Sequence, residues 1–302
     1  TADAASVAAA HKRATDGDGG LWDTGLAPFD GLADGVLGPE RLVVLGARTG
    51  VGKTGVALEL VRRLSVERTE RQRAGEDGPR PLRVGIFSLE MAARDVASRL
   101  ISATAGGIDR CYDSARMRRG RATARDWQLY SEAAPHVLAA PIWIDDSPGV
   151  DWRELGARVR AGVREHSFDL VVVDYVQLLT GPERERRQQI ASASTHLGVI
   201  AREYGVCVLA TAQLNREAAR RLSDGAEPHA AQIAQSGQIE QDANVIILLS
   251  RGSSSDGDDD DEPSPFLTMR CVKHRHALGG GSGVLRVHAT HCGYSAPDGA
   301  EP

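Results

Sequence analysis

Leu42-Val43-Val44-Leu45-Gly46-Ala47-Arg48-Thr49-Gly50-Val51-Gly52-Lys53-Thr54-Gly55 is an apolar, β-type run that breaks into glycines and ends on a Lys-Thr pair. Beyond it, Val56, Leu60 and Leu64 fall at i, i+4, i+8 on one helical face. Strand, loop and helix therefore follow in that order. The loop has the phosphate-binding pattern Gly-x-x-x-x-Gly-Lys-Thr with Ala47 at the place of the first glycine. Glycines let successive backbone N–H groups turn inward around phosphate oxygens, and the helix N-terminus behind them favours negative charge. Gly46, Ala47, Arg48, Thr49, Gly50, Val51, Gly52, Lys53, Thr54 and Gly55 are the expected nucleotide-binding segment. Lys53 would bring a point charge to the β and γ phosphates of ATP, and the Thr54 hydroxyl would bind Mg2+.

Outward from that loop the same alternation recurs. The Arg/Glu/Gly/Pro-rich segment 66–82 reads as a loop, 84–87 as a strand, 91–104 as a helix and 142–144 as another strand. Leu155, Val159 and Val163 form a helical stripe ahead of Leu170, Val171, Val172 and Val173, a continuous apolar run suited to a strand covered on both faces. Leu197, Ile200, Ala201 and Tyr204 mark one more helix before a strand at 206–210. Strands alternating with helices predict right-handed crossovers and a mostly parallel α/β sheet. Segments 245–249, 266–272 and 284–287 are strand-like with no helix between them, which predicts antiparallel strands at the C-terminal edge. Segment 252–265 carries Asp258 to Asp261 and reads as a disordered acidic surface loop, without the spacing of a calcium loop.

The 302 residues are 41% hydrophobic and 25% charged, an ordinary globular balance. Lys plus Arg number 36 against 41 Asp plus Glu, a net charge of −5, so any nucleic-acid contact must be local. Cys111, Cys207, Cys271 and Cys292 are too far apart for a zinc knuckle or a disulfide framework. The chain has no run of the roughly 18 to 20 apolar residues that a spanning helix needs and no signal-peptide pattern at its N-terminus. The expectation is a soluble cytoplasmic protein with no membrane partner.

A phosphate loop needs a second acid for the magnesium shell, and Asp174 ends the apolar strand where its carboxyl edge should face the nucleotide. Glu90, just past the 84–87 strand, could activate water for attack on the γ phosphate, or serve only as a first-turn helix acid.

With these residues in place, the chain resembles the RecA-like motor domain of DnaB-type replicative DNA helicases. The segments that carry the resemblance are the phosphate loop, Phe87-Ser88-Leu89-Glu90-Met91, Ile144-Asp145-Asp146-Ser147, Val173-Asp174-Tyr175-Val176-Gln177-Leu178, Gln213-Leu214-Asn215-Arg216, Ser236-Gly237-Gln238-Ile239-Glu240-Gln241-Asp242 and Lys273-His274-Arg275. They keep the family's order across about residues 20 to 295, and the family also has Ala at the position of Ala47. The resemblance implies a RecA-like P-loop NTPase fold and a homohexameric ring that hydrolyses ATP at subunit interfaces and moves 5′-to-3′ on single-stranded DNA. It makes Glu90 the catalytic base, Asp174 the magnesium-shell acid and Gln213 the sensor of the γ phosphate. Lys273 and Arg275 become the basic pair offered by a neighbouring subunit, with Arg275 as arginine finger, a planar guanidinium that cannot lose its proton.

The resemblance places residues 21–295 in the motor domain, 1–20 in a linker or tether and 296–302 in a tail. The family's helical N-terminal domain, which contacts primase, is not expected within these 302 residues, and the resemblance makes a loader or primase an expected partner. A nucleoid-associated location follows from the same resemblance. The family's DNA loop reads Asp-Leu-Arg-Glu-Ser-Gly where this chain has Gln232-Ile233-Ala234-Gln235-Ser236-Gly237. Gln235 and Gly237 are then the expected DNA contacts of that loop, supplemented by Arg184 and Arg186 after the Asp174 strand. Ala234 offers no charge, which predicts fewer ionic contacts and a shallower salt dependence. It also keeps a second reading open, a RecA-like ATPase that remodels assemblies or regulates without unwinding DNA. A third reading, a nucleotide-gated interaction module, has no need of Lys53, Thr54, Glu90, Asp174 and Arg275 together.

Overall fold

The computed structural model describes residues 20–32, 35–214, 233, 237–253, 263–275, 281–288 and 290–297. The expected tether, Asn215 and Arg216, Ala234 to Ser236 with Gln235 among them, the acid run at 258–261, the turn at 276–280 and the end of the tail lie outside the described residues.

Among the described residues nine strands form one sheet in the order β3-β2-β4-β5-β1-β6-β7-β8-β9. Strands β1 (Leu42–Ala47), β2 (Val84–Ser88), β3 (Ile142–Asp145), β4 (Leu170–Asp174), β5 (Cys207–Gln213) and the first half of β6 (Val245–Ser253) run parallel. Strands β7 (Pro263–His274), β8 (Ser282–His288) and β9 (Gly293–Ser295) continue the sheet antiparallel, the arrangement expected of a C-terminal edge without crossover helices. All six residues of β1 and all five of β4 are buried. Their side chains alternate between two cores. Val43 and Leu45 pack on one face with Val56 and Leu60, and Leu42 and Val44 on the other with Leu197 and Ile200.

The helices that cover these faces are α1 (Ala27–Asp30), α2 (Lys53–Val61), α3 (Arg68–Arg73), α4 (Ala93–Ile108), α5 (Ser114–Arg118), α6 (Ala124–Ala139), α7 (Trp152–His166), α8 (Arg186–Tyr204) and α9 (Gly237–Asp242). Helix α7 buries the predicted stripe Leu155, Val159 and Val163 and is capped by Asp151, whose carboxylate accepts from the N–H of Arg153 at 2.8 Å.

Two expectations are corrected. Segment 66–82 is helical as far as Arg73, because α2 runs on through a π-helical turn, Arg62–Glu67, into α3. Buried Arg68 and Thr69 hide the apolar periodicity there: the Arg68 guanidinium reaches the carbonyls of Asp23 and Arg80, and Thr69 bonds back to Ser65. The loop expected at 252–265 is also shorter, since β6 and β7 stay paired out to Ser253 and Pro263.

Candidate functional site

The phosphate loop leaves β1 at Ala47 and enters α2 at Lys53. Gly50 and Gly52 take φ of +84° and +121°, conformations that side-chain-bearing residues rarely adopt. Tyr294 of β9 lies across the loop: its hydroxyl donates to the carbonyl of Gly52 at 3.3 Å, and a Cβ on Gly52 would come within 2.7 Å of it. Burial pushes the Tyr294 hydroxyl up to about 12, so it stays a donor.

Asp174 is brought to the loop by β4, which ends level with Ser88 of β2. Its Oδ2 accepts a hydrogen bond from Thr54 Oγ1 at 2.7 Å, and its Oδ1 accepts from Thr211 Oγ1 of β5. Lys53 is only 7% exposed, with its ammonium 5.0 Å from the Tyr175 ring centroid and no carboxylate at ion-pair distance among the described residues. Glu90 follows β2 after Leu89, whose N–H is held by the Asp174 carbonyl at 2.8 Å, and its exposed side chain faces the same cleft. Gln213 ends β5, and its Nε2 donates to Thr49 Oγ1 at 2.7 Å. The structure thus gathers Thr49, Lys53, Thr54, Glu90, Asp174 and Gln213 at the carboxyl ends of adjacent parallel strands, where open α/β sheets place ligands.

The cleft has a volume of about 380 Å3. Sequence reasoning missed half of its wall. Arg99 comes from α4, Arg251 from β6, His288 from β8, Cys292 from the turn before β9 and Tyr294 from β9 itself. These residues show no local motif, and the antiparallel return through β8 and β9 brings His288, Cys292 and Tyr294.

The donor set fits a magnesium triphosphate. A hydroxyl and a carboxylate in contact, Thr54 and Asp174, offer hard oxygens; the buried Lys53 ammonium and the N-terminus of α2 offer positive charge. Among the described residues no three His, Cys, Asp or Glu side chains converge as a metal cage.

Lys273 and Arg275 are not at this site. Lys273 pairs with Ile246, which lies beside Val44, so it stands near the start of β1 while the phosphate loop begins past its end. There the Lys273 ammonium donates to the carbonyls of Glu240 and, at 3.3 Å, Gln241, and the Arg275 guanidinium donates to Gln241. The basic pair rests on the C-terminal carbonyls of α9, where the helix dipole favours cations. Burial and the neighbouring Arg275 push the Lys273 ammonium below its usual range. Gly237, exposed, opens the same short helix. Arg184 is exposed, whereas Arg186 turns inward and bonds to the carbonyls of Gln177 and Leu179, the latter at 2.7 Å.

A model of the DnaB-like helicase C-terminal domain matches residues 21–288. The replicative DNA helicase DnaB of Leifsonia xyli subsp. xyli is 33% identical over 76% of this chain and 47% of its own length. That of Geobacillus stearothermophilus is 32% identical over 76% of this chain and 46% of its own, and that of Mycobacterium leprae 38% identical over 57% and 28%. The chain spans about half the length of the first two relatives. Among solved structures, a DnaB-like replicative helicase described with its interactions with primase superposes with a TM-score of 0.75 at 24% identity, covering 99% of this chain and 69% of that one. A solved ATPase domain gives a TM-score of 0.74 at 24% identity, covering 97% of both chains. Both likenesses establish the fold.

Proposed function

The chain belongs to the DnaB-like helicase C-terminal domain family, and from that membership we propose that it is an ATP-hydrolysing motor that moves on single-stranded DNA, its catalytic site completed between copies of itself. The observation that carries the reading is the division of the machinery between two ends of the sheet. Thr54, Asp174, Glu90 and Gln213 stand at one end, and Lys273 and Arg275 at the other. Their separation along the strand is about three residues, or ~10 Å, before the spacing between strands is added. A finger so placed serves a neighbouring protomer better than its own.

Within one protomer, Gly50 and Gly52 let the loop N–H groups face phosphate oxygens, and Lys53 supplies the charge beside them. Thr54 and Asp174 would hold Mg2+, which when bound neutralises charge on the phosphates. Glu90, exposed in the cleft, would orient a water and accept its proton. Gln213 would trade its bond to Thr49 for one to a γ-phosphate oxygen. The adjacent copy's Arg275 would meet the charge that spreads over those oxygens as the bond breaks. A ring follows from repeating such a head-to-tail contact until it closes, and six copies is the number the family reading gives.

DNA contact is assigned to Gly237 and Gln235 of the central loop and to Arg184. Arg186, already engaged with two main-chain carbonyls, braces that region from within. A loader or primase as partner and a cytoplasmic, nucleoid-associated place belong to the same reading; among the described residues no helix is long and apolar enough to cross a membrane. Ala234, in place of a basic residue, favours one second reading, an ATPase that remodels an assembly without unwinding DNA. ATPase rates measured on size-separated oligomers, with and without single-stranded DNA, separate the two. Stimulation confined to the oligomer supports the motor, and a rate indifferent to DNA in every fraction rejects it.

A further inference from the structure

Gln177 lies in a short 3-10 turn, Val176–Leu178, directly after β4, and its side chain occupies a place the sheet would otherwise leave vacant. Strands β4 and β5 are in register up to Val173 and Ala210, but β5 continues to Gln213 while β4 turns away. On its far side Gln213 is level with Ala47 of β1. On the β4 side its main chain faces the Gln177 carboxamide. Gln177 Nε2 donates to the Gln213 carbonyl at 3.1 Å, and Gln177 Oε1 accepts from the Gln213 N–H at 3.0 Å. A primary amide presents a donor and an acceptor together, so one side chain does here what a strand's backbone does elsewhere.

The other end of Gln177 is tied as firmly. Its carbonyl accepts from the Arg186 guanidinium, which also donates to the Leu179 carbonyl at 2.7 Å and to Gln189 Oε1 at 2.6 Å. Gln189 Nε2 in turn donates to the carbonyls of Glu183 at 2.7 Å and Gly181 at 3.2 Å. An unbroken series of hydrogen bonds therefore runs from Thr49 in the phosphate loop through Gln213, Gln177 and Arg186 to Gln189 and the segment that carries exposed Arg184.

We propose that Gln177 is a positioning residue that fixes Gln213 against the phosphate loop and passes its position to the Arg186-braced segment 179–189. The proposal rests on reading Gln213 as the γ-phosphate sensor. The two-state element is the Gln213 side chain, bonded to Thr49 in this structure and to phosphate when triphosphate is bound. Because its backbone is held at both N–H and C=O, a shift of Gln213 moves Gln177 with it.

The test is hydrogen–deuterium exchange on the whole chain, with and without Mg2+ and a non-hydrolysable ATP analogue, followed by ATPase assays with single-stranded DNA. In the intact protein the analogue should slow exchange at 48–55 and also change it at 179–189, by about fivefold or more if the coupling is of ordinary size. Gln177→Met, similar in volume but without the amide, should keep the response at 48–55 and lose it at 179–189. Its KM for ATP should stay within about twofold while the DNA-stimulated kcat falls about tenfold, the change expected when a coupling of this size is removed. Gln189→Ala, near the surface end of the series, should lose the response at 181–185 alone, which guards against a folding defect in the first variant. A Gln177→Met protein that relays the response like the intact one overturns the proposal. So does an intact protein protected at 48–55 and unchanged at 179–189. An intact protein with no protection at 48–55 overturns both this proposal and the nucleotide reading beneath it. Exchange coupling without any stimulation by DNA upholds the role of Gln177 and rejects the DNA motor.

Discussion

Thr54 Oγ1 donates to Asp174 Oδ2 at 2.7 Å across 120 residues of sequence, joining the first residues of the helix behind the phosphate loop to the end of β4. Each group fixes the other before any ion arrives, and Thr211 holds the remaining carboxylate oxygen. The arrangement holds two hard oxygen groups together next to Lys53, ready for the magnesium role proposed for them.

Asp174→Asn should therefore preserve the fold and weaken the magnesium dependence of turnover. The amide keeps the shape but loses charge and turns a donor toward Thr54 or Thr211. Removing a support of this kind costs on the order of 10- to 100-fold in metal affinity or activity. A magnesium titration of ATPase rate reads it directly; an unchanged half-saturation point would show that Asp174 plays no part in the metal shell.

Glu90→Gln should separate binding from chemistry. The side chain is exposed in the cleft and makes no contact that holds the phosphate loop, so nucleotide affinity should survive while the rate falls by roughly 10²- to 10⁴-fold, the usual contribution of a general base. Equilibrium binding of a fluorescent nucleotide beside single-turnover hydrolysis decides the matter. Normal turnover in this variant removes Glu90 from the base role.

Much of this was legible locally. The β1–loop–α2 unit announces itself because an apolar run, glycines and Lys-Thr follow each other within fourteen residues, and β4 because the continuous apolar run Leu170 to Val173 suits a strand covered on both faces. What stayed hidden had specific causes. Helix α3 is masked by buried Arg68 and Thr69. Helix α6 turns Trp127 and Leu138 outward and contains Pro135, so its apolar face is weakly marked. The cleft wall formed by Arg251, His288, Cys292 and Tyr294 depends on pairing between strands remote from the phosphate loop in sequence, and no window of sequence contains that register. Gln177 was visible as a letter of a motif, but its grip on Gln213 is a property of where two strands part.

His291 gives the protein an acid limb. Burial first, and then the cation its stacked neighbour His288 can become, push its imidazole down to about 4, with Arg110 and Arg62 acting the same way and Glu59 opposing them. An unfolded chain holds that proton up to about pH 6.5, so between those values the unfolded state binds more protons and acidification favours unfolding. The contribution is complete above pH 6.5 and lost as the pH falls toward 4. Melting temperatures over that range should fall more steeply for the intact protein than for His291→Phe; parallel curves would reject the assignment.

Gly106→Ala tests the same packing from the other side. A Cβ at Gly106 would be driven into the ring and Cβ of His291, which offer no flexible chain end to give way. Overpacking of this sort costs about 1–3 kcal/mol, which chemical denaturation at neutral pH would register as a lower midpoint. A neutral or stabilising result would mean the His291 ring is free to move out.

The position of Arg275 yields the sharpest test of catalysis between copies. Glu90→Gln leaves a protomer with an intact finger and a dead cleft; Arg275→Ala leaves an intact cleft and no finger. Each uniform assembly should be nearly inactive. When the two are co-expressed in equal amounts, a site works only where an intact cleft meets a neighbour's intact finger, about one site in four for random mixing around a head-to-tail contact. Turnover should then rise well above either parent, toward a quarter of the unaltered rate, and fall again if the oligomer is diluted to single chains. Were Arg275 to act on its own protomer's phosphates, every chain in the mixture would carry one lethal defect and mixing would restore nothing. Persistent inactivity in a mixed oligomer of verified composition would therefore place catalysis within single protomers and leave the distance between Arg275 and the phosphate loop without a function.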